Sequence, residues 1–172
     1  MSDKINFIHI EQETVPNIIS LHDCVCTSIQ VIDNKVYFEF EDGFVVLNTH
    51  SDNRSGKHLK TDKSCIVFSH NEPDIEYHYE IEMFHNIYFL NKYLFTTRKF
   101  IDFSQLCSMI NSKEYELAFI NLDKSIKTEK YFLEAVLIRK KTRKHFPMFI
   151  KIISTYNLLY KWNNLCMDRE IR

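Results

Sequence analysis

From Val25 to Leu47 the chain alternates apolar and polar side chains with period two. No other feature constrains the fold as strongly. Successive side chains of a strand point to opposite faces, so such a run buries one face and gives the other to water. Val25, Thr27, Ile29 and Val31 fall on one face; Cys24, Cys26, Ser28 and Gln30 fall on the other. A turn near Asn34-Lys35 brings the chain back, and Val36, Phe38 and Phe40 rejoin the first face. Asp42-Gly43 then signals a type I′ hairpin, whose central residues take φ > 0. With 41 opposite 44 and 40 opposite 45, Val45 and Leu47 would lie beside Phe38 and Phe40. The expectation is a three-stranded meander whose register is set by its apolar face.

The same period recurs down the chain. Residues 65–70 read as a short buried strand and 71–74 as a turn. Residues 75–83 read as an amphipathic strand, with Ile75, Tyr77, Tyr79, Ile81 and Met83 opposed to Glu76, His78, Glu80 and Glu82. Residues 87–97 read as a hairpin about Asn91-Lys92, and strands are expected over 115–122, 131–138 and 149–153. Tyr156, Leu158, Tyr160 and Trp162 share one face of an expected final strand. One segment has the helical period. Asp102 can cap it, Gln105 can reach back from the third position, and Phe103, Leu106, Met109 and Ile110 form the apolar stripe. Residues 50–64 are polar, contain Gly56, and read as a long mobile loop. The expected fold is mainly β and antiparallel, α+β or barrel-like, with one or two short helices. The turns in DNKVYFEF and LNKYLFTT share too little else to mark an internal repeat.

A chain of 172 residues reads as a single domain, 1–172. Its charge is divided. Residues 1–86 hold 6 Lys+Arg and 15 Asp+Glu, and residues 87–172 hold 16 and 8. Two lobes, acidic 1–86 and basic 87–172, would present a dipolar surface. The favoured reading is that acidic and basic strands lie side by side and neutralise each other. No apolar run approaches the roughly 18 residues of a membrane helix. The start lacks a basic stretch followed by an apolar one, and five cysteines are too sparse for a disulfide scaffold. A cytoplasmic protein without a membrane partner is expected.

Gly43 and Gly56 are the only glycines. Phosphate-cradling loops and the nucleophile elbow need several within a few residues, so both are excluded. His22-Asp23 would suit a divalent metal in a hydrolase, but such pairs lie on helices and this one opens a period-two segment. The expected role is a sheet corner, with Asp23 accepting backbone N–H groups and His22 packed beside it. Glu76, His78 and Glu80, with Glu82, could do acid–base work, or could simply line the wet face of a sheet. His50, His58, His70, Cys65 and Asp52 have no zinc-knuckle spacing. Cys24 and Cys26 read as half-buried filler. RKKTRKH (139–145), with Lys151, Lys161, Tyr156, Tyr160 and Trp162, has the makings of a nucleic-acid surface, but a pI near 6.7 argues against it. His22, Asp23, Glu76, His78 and Glu80 are therefore carried as binding candidates, with no catalytic residue, metal ligand or cofactor assigned.

The stretch LHDCVCTSIQVIDNKVYFEFEDGF resembles the start of small uncharacterised bacterial proteins with an N-terminal His-Asp and β-meander layout. IKIISTYNLLYKW resembles their closing strand, and some of these proteins look like immunity proteins of contact-dependent toxin systems. Only His22, Asp23, Asp42 and Gly43 carry over, as parts of the layout. The resemblance implies a non-enzymatic bacterial protein of the immunity or antitoxin sort that binds a protein partner. The acidic N-terminal half would face a basic partner. One alternative is a small-molecule-binding β-barrel or sandwich, suggested by 14% aromatic content. A second is a metal-dependent hydrolase using His22 and Asp23.

Overall fold

The computed structural model describes residues 7–13, 18–125, 127–128 and 130–171. The first six residues of the segment read for a secretory leader lie outside them. The strands β1 (His9–Gln12), β2 (Ile19–Ser20), β3 (Val25–Cys26), β4 (Ser28–Ile32), β5 (Lys35–Phe40), β6 (Val45–Val46), β7 (His58–Thr61) and β8 (Ser64–Ser69) precede a 3-10 turn, Ile75–His78. Strands β9 (Tyr79–Phe89) and β10 (Lys92–Ile101) lead into the helix α1 (Phe103–Asn111). Strands β11 (Tyr115–Lys124), β12 (Lys130–Arg139), β13 (Lys144–Ile153), β14 (Leu159–Trp162) and β15 (Leu165–Ile171) follow. They pair antiparallel in three open sheets, ordered β1-β14-β8-β5-β4, β10-β9-β13-β12-β11-β3 and β15-β7-β6-β2. The fold is mainly antiparallel β with one short helix, as the alternation implied.

Aromatic rings join the sheets. Phe38 meets Phe68 at 5.8 Å and Phe119 at 6.0 Å, and Phe68 meets Tyr131 at 5.2 Å. The five-stranded sheet thus packs on the inner face of the six-stranded one. Phe44 enters the third sheet and lies edge-on to Phe40, Tyr160 and Trp162. Each such pair adds about 0.5–1.5 kcal/mol beyond its buried area. Helix α1 forms where expected. The Gln105 side chain accepts the Asp102 N–H at 3.3 Å, and Phe103, Leu106 and Ile110 are buried. Asn111, at its end, turns its side-chain amide to β4. It accepts the Ile29 N–H at 2.9 Å and donates to the Ile29 carbonyl at 2.7 Å, taking the place of a neighbouring strand.

Several local expectations are corrected. The alternation is not continuous through Thr27, because the chain changes sheets there. β3 pairs with β11 and β4 with β5, so Cys24, Cys26 and Ile29 are all buried. The expected meander also ends early. β5 is already flanked, with Phe38 opposite Ile29 on one side and Ile66 on the other, so no edge remains for β6. The turn itself forms one residue earlier than expected, centred on Glu41-Asp42: the Gly43 N–H donates to the Phe40 carbonyl at 3.2 Å, and of the expected pair Gly43 takes positive φ and Asp42 does not. The chain then crosses to β7, where Phe44 and Thr61 exchange hydrogen bonds of 3.1 and 2.8 Å. The supposed loop 50–64 contains β7 and is tied down by Asn53, whose amide donates to Val46, Leu47 and Lys57. Residues 75–78 are a 3-10 turn and not strand. β14 is followed by β15, and Tyr156 lies outside β14, exposed.

The hairpin of β9 and β10 leaves the body of the molecule. β9 pairs with β13 from Tyr79–Ile152 to Met83–Met148. The next residue of β13 is Pro147, which has no N–H to donate. Beyond that point β9 and β10 pair only with each other, out to Phe89–Lys92. Their turn is Leu90-Asn91, with φ of 47° and 62°. The β4–β5 turn is Asp33-Asn34, likewise one residue earlier than expected, and Asp33 has φ of 54°.

Both glycines have positive φ, 73° at Gly43 and 74° at Gly56. A Cβ at Gly43 would stand 2.2 Å from the Thr61 carbonyl oxygen, whereas at Gly56 it would meet nothing within 4 Å. Gly56→Ala should cost only the left-handed penalty, about 1–2 kcal/mol. Gly43→Ala should cost roughly 1–3 kcal/mol more from overpacking. Denaturant unfolding of the two variants measures the difference, and equal losses would refute the Thr61 contact.

Candidate functional site

His22 and Asp23 occupy the corner between β2 and β3. The Cys24 N–H closes the turn on the Leu21 carbonyl at 3.0 Å. Asp23 has φ of 59°, and its N–H donates to Phe119 at 2.9 Å while the Phe119 N–H donates to Cys24 at 2.9 Å. Two residues thus face one, beside the register shift between Phe119 and Asn121 in β11. His22 donates from Nδ1 to the carbonyl of the bulged Ile120 at 2.6 Å. The expected carboxylate role is corrected. The Asp23 side chain is 85% exposed, meets His22 Nε2 at 3.4 Å, and accepts no backbone N–H among the described residues. What Asp23 supplies is the left-handed backbone, which Asp tolerates better than most residues.

Glu76, His78 and Glu80 do not form one face. Glu76 accepts the Ser104 N–H at 3.1 Å, in the first turn of α1. Glu80 pairs with Lys151 at 2.5 Å, its neighbour across the β9–β13 ladder. His78 stacks on His70 with ring centroids 4.4 Å apart, and its buried Nε2 has no hydrogen-bond partner among the described residues. His70 is buried too. The Ile153 carbonyl can only accept, so His70 Nδ1 carries the proton across 2.7 Å, and Nε2 accepts from the Tyr79 hydroxyl at 3.1 Å. Burial, and then the neighbouring His78, push the His70 pKa down from 6.5 to about 4. The edge of His70 lines an open cleft of about 620 Å³ with Gln12, Asp33, Lys35, Tyr156 and Leu159.

The loop histidines are engaged separately. His50 donates from Nε2 to Glu11 at 2.6 Å and accepts the Asp52 N–H at 3.0 Å on Nδ1, which leaves neither nitrogen for chemistry. His58 Nδ1 accepts the Asn48 N–H at 3.1 Å. Among the described residues no three His, Cys, Asp or Glu side chains converge on a common point that could hold a metal. All five cysteines are free thiols. Burial pushes Cys24 up to about 11 and Cys26 up to about 12, away from nucleophilic character. Ion pairs of Lys124 with Glu13, Arg98 with Glu82 and Lys151 with Glu80 join the basic half to the acidic one. No helix of the described residues is long and apolar enough to cross a membrane.

Among the described residues, exposed apolar side chains are concentrated at a place that alternation did not single out. Tyr88, Phe89, Leu90, Tyr93, Leu94 and Phe95 are all exposed around the β9–β10 turn, Leu90 to 81%. The register puts Ile87, Phe89 and Phe95 on one face and Phe84, Tyr88, Tyr93 and Phe100 on the other. The second face is already ordered. Tyr88 lies edge-on to Tyr93, the Tyr93 hydroxyl meets Thr96 at 3.0 Å, and Thr96 donates to Asn86 at 2.6 Å. Arg98 sits over the Phe100 ring at 5.0 Å. The signal was present in IYFLNKYLF (87–95), apolar on both faces of a hairpin and therefore with no face to spare for water. No family model matches the chain, and neither a curated protein nor a solved structure does.

Two outcomes follow. Unfolded His70 titrates near 6.5 and the folded residue near 4, so in that window the unfolded chain binds more protons. Stability should therefore be full above pH 6.5 and fall as the pH drops toward 4, by on the order of 3 kcal/mol from this group. Urea unfolding across that range measures it, and His70→Asn should flatten the slope. At the corner, Asp23→Asn should leave the melting temperature unchanged, whereas Asp23→Val should cost about 1–2 kcal/mol. An Asn variant as damaged as the Val one would restore a role for the carboxylate.

Proposed function

We propose that the chain is a non-enzymatic partner-binding protein, of the immunity or antitoxin sort, that engages another protein through the β9–β10 hairpin. One observation carries this reading: six large apolar side chains are held in water on a turn that contributes nothing to the core. Contiguous apolar surface of this kind marks interaction sites, and aromatic residues are the usual anchors of protein interfaces. The cross-strand network of Tyr88, Tyr93, Thr96 and Asn86 supports it, because side chains ordered before binding lose less entropy on docking. Affinity capture from a lysate of the source organism at low salt tests the reading. Wild-type protein should retain one partner stoichiometrically, and Leu90→Asp with Leu94→Asp should lose it with an unchanged melting temperature. No partner, or equal retention by the variant, overturns the hairpin reading.

A second reading, a small-molecule site, draws on the cleft beside His70. A ligand present at a hundredfold its Kd should add about 2.7 kcal/mol to stability. A thermal-shift screen of metabolite classes in which nothing raises the melting temperature removes it.

A further inference from the structure

The hairpin reading says where a partner binds; the edges of the three sheets say how. β2 and β3 are edge strands of two residues each, and β1 has four. The β4 edge is taken at Ile29 by the Asn111 amide. The β15 ladder is broken by a register shift between Cys166 and Glu170. β10 is different. It is an edge strand of ten residues, exposed from Lys92 to Phe100, and among the described residues its only strand partner is β9. Such an edge presents a row of N–H and C=O groups that an extended backbone can complete.

The charge of that edge selects the occupant. β10 carries Lys92, Arg98 and Lys99 and no carboxylate. Arg98 meets Glu82 at 3.4 Å, whereas Lys92 and Lys99 make no ion pair among the described residues. The antiparallel register places the 140–143 turn at the same end of the sheet as Leu90-Asn91, and Lys141 and Arg143 there are also unpaired among the described residues. On one face of β10, a groove of about 450 Å³ between the strand and α1 is lined by Met83, Lys99, Ser104, Ser108 and Met109. It offers room for the side chains of an added strand, with an ammonium group in its wall. A second copy of this chain would instead bring both sets of β10 cations to one seam, which like charges oppose.

We propose that β10 takes an extended acidic segment of a partner protein as an added strand, its carboxylates meeting Lys92 and Lys99 on the face that α1 flanks and its alternate side chains lying beside Tyr93 and Phe100 on the other. This rests on the hairpin reading and specifies its occupant.

A synthetic peptide alternating Glu with Val and Thr is the probe. A Lys-for-Glu peptide and a single-stranded oligothymidine are the comparisons. Binding is read by anisotropy and β10 occupancy by amide hydrogen exchange. The Glu peptide should bind and slow exchange of β10 amides by about tenfold or more, with β14 unchanged. Lys92→Glu with Lys99→Glu, both exposed, should weaken binding by about tenfold with the melting temperature kept. Failure of the Glu peptide to bind, its binding without β10 protection, equal binding of the Lys peptide, oligothymidine protecting β10 in the peptide's place, or a concentration-dependent dimer that protects β10 would each overturn the proposal. If a lysate partner is lost with Leu90→Asp and Leu94→Asp but retained by the Lys92 and Lys99 variant, the edge proposal falls and the hairpin reading stands.

Discussion

Phe119 stands edge-on to Phe38 at 6.0 Å and to Phe40 at 5.2 Å, and the rest of the molecule is arranged around that wedge. It is the point at which β11 of one large sheet grips β5 of the other. The backbone of Phe119 is held as firmly as its ring, since its N–H and C=O are both taken by the corner at Asp23 and Cys24. The bulge after it turns the Ile120 carbonyl toward His22. Corner, bulge and aromatic core therefore form one unit. The two residues that most resembled a reactive pair hold the strand that supplies the central ring.

Local chemistry was legible in the sequence wherever one segment decided the outcome. Helix α1 could be read because its cap, its return hydrogen bond and its apolar stripe lie within ten or so positions of one another. β8 could be read because its short apolar run is bounded by a turn, and the strands from β11 to β13 because their alternation persists. Pairing was not legible. Alternation shows that β5 is a strand, but not that both of its edges are filled, and that fact sends residues 44–46 to another sheet. β7 and β15 depend on each other across a hundred residues, with Leu165 opposite Thr61, and neither declares itself alone. Over four residues a 3-10 turn and a strand show the same pattern, so Ile75–His78 was read as the start of β9.

The candidate site divides in the same way. His78 was visible as a residue, yet its stack on His70 joins two segments whose relation only the sheet order reveals. Glu76 and Glu80 looked like neighbours on a face, and each has a separate structural partner. The unlike charges of the two halves meet partly inside the fold, through Glu13, Glu80 and Glu82. Lys92, Lys141 and Arg143, which make no ion pair among the described residues, lie at the end of the six-stranded sheet that carries the exposed rings.

Pro147 sets the mechanics of that end. Hydrogen bonding from β13 to β9 stops at Met148, and past it Phe146 still meets His85, with ring centroids 5.5 Å apart. A two-stranded ribbon coils more strongly than a strand held inside a sheet, and it resists torsion less. Rotation of the tip therefore strains fewer backbone hydrogen bonds than it would inside a sheet. Winding or unwinding the ribbon disturbs no pairing between β9 and β13, which ends at Met83–Met148, and the rings around Phe119 lie outside the ribbon.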